Sequence, residues 1–204
     1  MGTNRLESFS DGVIAVAITL LVITITVPEP GSHPHHSLAF ALGQEWPEYA
    51  AYVVTFMTIG IIWINHHAMI SRLTRADHPI MILNLLLLMS IAVLPFATEL
   101  MATYLRQSDG QKLAAAIYSA AFLVMSLAFS ALNRHVLLRK SHMLRADLSL
   151  ERRRQILSRA LTGLIPYALA TAIAFVSPYA TLAICAAMGV FYSLPVASGS
   201  ESTT

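Results

Sequence analysis

Apolar residues in this chain fall in long blocks rather than in alternation. The blocks are Phe9–Val27, Trp46–His67, Pro79–Tyr104, Leu113–Asn133, Ala160–Val176 and Tyr179–Val196. About 20 mostly apolar residues, within a range of about 17–25, are needed for a helix to cross a bilayer. The pattern therefore predicts six transmembrane helices. The blocks are too long and too evenly apolar for barrel strands, whose lipid-facing and lumen-facing residues alternate. Backbone groups in hydrocarbon must bond within their own segment, which leaves the helix. The expected fold class is all-α, a polytopic membrane protein. Only Ser177-Pro178 separates the last two blocks, which predicts a tight helical hairpin. In the third block, Pro95 frees a carbonyl and kinks the helix. Asn84, in the same block, is expected to hydrogen-bond to another helix.

The connections are also legible. Pro28 to Glu45 holds the run PEPGSHPHH and then a short apolar piece, Leu38 to Leu42. Ile70 to His78 is short and basic, and Arg106 to Lys112 is a short polar turn. Arg134 to Arg159 is the longest connection and reads as a helical, basic surface segment. Residues 1–197 read as a single domain, and 198–204 as a disordered polar tail. No internal repeat is evident.

Composition sharpens the class. The chain has 204 residues, 56% hydrophobic and 12% charged, and its mean hydropathy is +0.63. Soluble domains carry about 25% charged residues. These values exclude a disordered chain, a nucleic-acid-binding domain and a disulfide scaffold. The lone Cys185 reads as a small packing residue. The first block ends in Val-Pro-Glu-Pro and lacks a small-residue cleavage site, so no cleavable signal peptide is expected.

Net charge is only +2, but its distribution is uneven. With six spans both termini share one side. That side holds Arg5, Arg72, Arg75, Arg134, Arg139, Lys140, Arg145, Arg152, Arg153, Arg154 and Arg159; the other holds Arg106 and Lys112. The positive-inside rule then puts both termini in the cytoplasm of a cell-membrane protein. The basic 134–159 segment is either an ordinary inside-positive loop or a contact for anionic membrane lipid.

No Walker loop, GxGxxG, HExxH or GxSxG is present, so no enzyme, cofactor or resident metal is expected. His33, His35 and His36 cluster in the first connection. Without carboxylate or thiolate support they read as solvated sequence, with a transition-metal site as the alternative. Polar residues at helix depth are more informative. Asp11 is costly there unless paired or wet. Arg5, Ser10, Asp11, Trp63, Asn65 and His66 all reach one membrane level, because the second helix runs back toward the first helix's start. They predict a buried polar network joining the two helices; the alternative is separate interfacial snorkelling. Gly12, Val16, Thr19, Ile23 and Val27 form a stripe on the first helix, flanked by Leu20. Such a stripe serves either ordinary helix packing or an oligomeric pore with apolar rings and one hydroxyl layer.

Arg5 to Leu21 reads RLESFSDGVIAVAITLL, Trp63 to His66 reads WINH, and Pro95 to Thr98 reads PFAT. These resemble the RxxxFSDGVxAxAxTLL, WxNH and PFxT elements of the prokaryotic transmembrane protein 175 family. The resemblance is close over the first half of the chain and rests on helix count in the second. It implies a leak-type potassium channel: a homotetramer of six-helix subunits, with the first helix of each lining the pore and potassium as the permeant ion. Constriction residues carry over to Val16, Thr19 and Ile23, with Gly12, Leu20 and Val27 as further lining. The polar network carries over to Arg5, Ser10, Asp11, Trp63, Asn65 and His66. Position 16 is valine where the family commonly has leucine or isoleucine, which implies a wider ring and weaker selection of potassium over sodium. Two rival readings stay open. One is a proton-coupled secondary transporter using Asp11 or Glu99, although no inverted repeat is visible. The other is a membrane scaffold without transport.

Overall fold

The computed structural model describes residues 3–29, 37–145 and 148–193. The tail from 198 and the histidines at 33, 35 and 36 lie outside the described residues. Among those described, nine α-helices follow one another: α1 (Thr3–Leu20), α2 (Leu38–Gln44), α3 (Trp46–Ile70), α4 (His78–Ala92), α5 (Leu94–Tyr104), α6 (Gln111–Arg134), α7 (Leu150–Thr162), α8 (Leu164–Ile173) and α9 (Pro178–Ser193). The protein is all-helical, as the apolar blocks require.

Among the described residues, five helical stretches are long and apolar enough to span a membrane: Thr3–Thr24, Trp46–Ile70, His78–Tyr104, Gln111–Arg139 and Leu150–Ile173. The sixth block forms a shorter helix, Pro178–Tyr192. Six spans are predicted, and the described part of the sixth block is this one helix, shorter than the other five. Boundaries shift as well. The first helix begins at Thr3, not Phe9, and tightens into a 3-10 turn over Leu21–Thr24. Val27 therefore lies beyond the helix. The fourth span runs past Arg134 into a π-helical turn, His135–Arg139.

The basic 134–159 connection is helical in its second half, as its reading from the sequence has it. Its second half is α7, which continues through Gly163 into α8. The third span breaks at Val93, between α4 and α5. Pro95 has no N–H to offer the preceding turn, so the helix must restart there. Ser177 begins α9 by accepting from the Ala180 N–H at 3.2 Å, which makes the α8–α9 turn as tight as the sequence implies.

α6 is central and packs against α4, α5, α8 and α9. Tyr118 and Phe122 are fully buried on it, and Phe122 stacks on Tyr167 of α8 at 5.5 Å between ring centroids. The Tyr118 hydroxyl lies 3.1 Å from the Thr55 hydroxyl, which lies 2.8 Å from Thr98. These three buried hydroxyls join α3, α5 and α6 at mid-depth, where an unpaired polar group costs several kcal/mol. Thr98 belongs to the PFAT stretch and also donates to the Leu94 carbonyl at 2.8 Å. Cys185 is free and fully buried.

At the end of the bundle that holds Ile70 and Arg134, two connections are clasped. Leu73 and Leu144 form an antiparallel bridge. The Thr74 N–H donates to the Met143 carbonyl at 2.8 Å, and the Arg145 N–H to the Arg72 carbonyl at 2.7 Å. Lys140 pairs with Asp77 at 2.7 Å, while Asp77 also caps α4 by accepting from the Ile80 N–H at 3.1 Å.

Candidate functional site: the first helix and its polar seat

α1 has two faces. Leu6, Ser10, Ile14, Ala17 and Leu21 are buried, at spacings of three and four, against α3 and α4. Gly12, Val16, Thr19 and Ile23 each sit two residues from a member of that row. Two residues turn a helix by about 200°, so this second row faces away from the bundle. Val16 is 58% exposed and Ile23 71%. Gly12, Thr19 and Leu20 are exposed too, and a Cβ built on Gly12 would meet nothing within 4 Å. Val27, past the helix end, is 85% exposed. The exposed row carries no ionised side chain. Its one hydroxyl, on Thr19, donates to the Val16 carbonyl at 2.9 Å. The proton is thereby turned back to the helix, leaving the oxygen lone pairs facing outward.

Polar contacts hold the buried face. The Ser10 hydroxyl donates to the Leu6 carbonyl at 2.8 Å. Its proton is spent there, so it accepts from the Asn84 side-chain NH2, at 2.9 Å. The Asn84 oxygen then faces His66 Nε2 at 2.7 Å. An amide oxygen only accepts, so His66 must carry its proton on Nε2; the network assigns this tautomer. All three residues are almost fully buried, and they join α1, α3 and α4. His66 Nδ1 is buried without a hydrogen-bond partner among the described residues.

Asp11 is separate from this chain. It accepts from the Trp63 indole N–H at 2.8 Å on the outer side of the α1–α3 seam. One turn away, Glu7 pairs with His67 Nδ1 at 2.8 Å, and the His67 ring lies 6.2 Å from that of Trp63. Half-buried Asp11 is thus tied to α3, not left in hydrocarbon.

The single network predicted over Arg5, Ser10, Asp11, Trp63, Asn65 and His66 is therefore corrected in three ways. It divides into a buried chain and a more exposed pair. Asn65 turns away and donates to the Ile61 carbonyl of its own helix at 2.8 Å. Arg5 is exposed and makes no hydrogen bond or ion pair among the described residues. The link between Ser10 and His66 is Asn84, which the sequence marked as an interhelical donor without assigning it a partner.

A further anchor escaped the sequence reading. Glu48, at the start of α3, is buried and accepts from the Thr26 N–H and the Thr26 hydroxyl, each at 2.6 Å. This holds the far end of the first span. A Glu in the first turn of a predicted helix marks a favourable dipole position, but nothing local points to Thr26, which is 22 residues earlier.

Comparison with known proteins fits this arrangement. A family described as endosomal/lysosomal potassium channel TMEM175 matches residues 5–95. A potassium channel of Streptomyces collinus is 43% identical over 193 residues, 93% of this chain and 91% of that protein. The endosomal/lysosomal proton channel TMEM175 of Gallus gallus is 38% identical over 117 residues, 54% of this chain but 23% of that protein. The crystal structure of a lysosomal potassium-selective channel TMEM175 homolog from Chamaesiphon minutus superposes with a TM-score of 0.83 at 32% identity, covering 94% of this chain and 96% of that one. The similarity thus reaches well beyond the first-half motifs, through α6 to α9. With this relationship along nearly its whole length, the chain belongs to the TMEM175 family of potassium channels.

Proposed function

We propose that the protein is a passive, leak-type potassium channel of the cell membrane, with four copies around one axis and α1 of each lining the pore. The observation that carries this reading is the division of α1 into two faces. A row of apolar residues with one hydroxyl faces out, free of charge, while polar contacts on the other face fix the helix's rotation. A helix held only by apolar packing would tolerate small rotations; hydrogen bonds at Ser10 and Thr26 penalise them.

In this assembly, potassium sheds part of its water between rings of Val16 and Ile23 and meets Thr19 oxygens between them. Apolar rings offer a cation no ligand, so ring diameter and hydration cost do the discriminating, and such rings gate by dewetting. Valine at position 16 makes for a wide ring and modest selectivity. Asp11 orients α1 through Trp63 and does not touch the ion. The short α9 serves as the sixth span, and the basic connections face the cytoplasm together with both termini.

The test is a reversal-potential measurement on purified protein in bilayers, with potassium on one side and sodium on the other. A current that follows the potassium gradient is expected, with no shift under an imposed pH gradient. A flux driven by the pH gradient alone would favour the proton-coupled transporter built on Asp11 or exposed Glu99. Absence of conductance would favour the scaffold.

A further inference from the structure

The arginine-rich turn of α7 takes no part in the proposed pore, yet the fold brings it to a defined depth. α8 has 10 helical residues, about 15 Å of helix against a hydrocarbon core of about 30 Å. The crossing must therefore be completed by the turn after Ile173 and by the second half of α7, Ile156 to Thr162. Ile156, Leu157, Ala160 and Leu161 make that half mostly apolar, Arg159 is its one charged residue, and the Ser130 hydroxyl on α6 donates to the Ala160 carbonyl at 3.2 Å. One turn toward the start of α7, which these lengths put at headgroup level, stand Arg152, Arg153 and Arg154, the first two half-buried and the third exposed. Glu151 is the acid in that first turn. The Nε of Arg153 is shut off from solvent with no hydrogen-bond partner among the described residues. α6 and α7 run antiparallel past the Ser130–Ala160 contact. Exposed Arg134 and Arg139, at the end of the α6 span, thus belong to the same end of the bundle.

We propose that Arg152, Arg153 and Arg154, with Arg134 and Arg139, bind the headgroup phosphates of anionic phospholipids. Guanidinium groups present planar forks that match phosphate oxygens bidentately. Apolar Ile156 and Leu161, next along the helix, receive the acyl chains. The inference rests on the chain crossing the membrane and not on which helix lines the pore.

The test uses the full chain in neutral detergent, titrated with short-chain phosphatidylglycerol, short-chain phosphatidylcholine or inorganic phosphate, with thermal unfolding as the readout. Phosphatidylglycerol is expected to raise the Tm at concentrations where the other two do nothing. Each basic side chain at an anionic surface contributes about fivefold in affinity. The combined Arg152→Gln, Arg153→Gln, Arg154→Gln variant should then need about a hundredfold more phosphatidylglycerol, while Arg→Lys at the same positions, which keeps the charge but loses the fork, should fall between wild type and that variant. Should the triple variant fail to fold, Arg134→Gln with Arg154→Gln, both exposed, should cost about twenty-five-fold. Four outcomes overturn the proposal: an equal response to phosphatidylcholine, an equal response to inorganic phosphate, no lipid response because a second copy covers α7, or an undiminished phosphatidylglycerol response in the glutamine variants.

Discussion

Glu48 receives both the backbone N–H and the side-chain hydroxyl of Thr26, each at 2.6 Å. One buried carboxylate on α3 thus closes the far end of the first span, while Ser10 and Asn84 hold its near end. The exposed row between Gly12 and Ile23 is suspended between two hydrogen-bonded anchors. Charge-assisted bonds of this kind are worth about twice neutral ones. Glu48→Gln should destabilise the protein by about 1–3 kcal/mol. Thr26→Val should cost about 1 kcal/mol or more, since it removes one of the two donors. Thermal unfolding of the single and double variants in nanodiscs checks this. Additive losses would mean that the two residues do not act together.

Asn84 is the hub of the near anchor, since it donates to Ser10 and accepts from His66. Asn84→Leu strands the His66 Nε2–H in the core, at a cost of about 1–3 kcal/mol, and takes from Ser10 the donor it accepts from, although Ser10 keeps its bond to the Leu6 carbonyl. The loss should exceed that of Asn65→Leu, because Asn65 bonds only its own helix. Equal losses in a denaturation experiment would remove Asn84 from its central role.

Asp11→Ala removes the acceptor of the Trp63 indole. A fall in assembled protein by size-exclusion chromatography is expected, because the α1–α3 seam loses its outer tie. Asp11→Asn keeps an acceptor oxygen and should recover most of it. A variant in which alanine assembles as well as wild type would show that the tie is dispensable.

For conduction, Val16→Ala and Ile23→Ala should change single-channel conductance or the potassium-to-sodium ratio without changing assembly. Thr19→Val replaces the outward oxygen with a methyl group and should reduce potassium current more than either. Unchanged currents in all three would take α1 out of the pore. Ile14→Ala, on the buried face, is the contrast. It should cost about 2–5 kcal/mol of stability through cavity formation.

The Lys140 ammonium beside Asp77 holds its carboxyl below the usual aspartate range, helped by the Ile80 N–H. A depressed folded-state pKa contributes stability that is fully present above the unfolded value of about 3.9 and is lost as pH falls through the folded value. Asp77→Asn should therefore lower stability at neutral pH by about 0.5–1 kcal/mol, through the lost ion pair and a weaker cap. It should also flatten the acid limb of the stability curve below about pH 4. Urea unfolding in micelles at pH 7 and pH 3.5 measures both effects. A difference between wild type and variant that grows on acidification would contradict the linkage.

Much of this protein is determined by contiguous sequence. A bilayer imposes its demand one segment at a time, so the position of each apolar block, the all-helical class and the break at Pro95 need no knowledge of neighbours. The opposition of Ser10 to Thr19 across α1 also follows from helix period alone. What the tertiary structure decided is pairing. Which polar atom meets which depends on how far each helix is rotated and where it crosses the next. Asn84 joins Ser10 to His66 across 74 and 18 residues of chain, and Thr26 finds Glu48, while Asn65, in the same motif as His66, turns back on its own helix. The fusion of α7 with α8 was hidden for a related reason. Arginine reads as a loop residue in any hydropathy scale, yet a long side chain that reaches the headgroups lets its helix continue into the membrane. Local chemistry sets which residues need a partner; only packing assigns the partner.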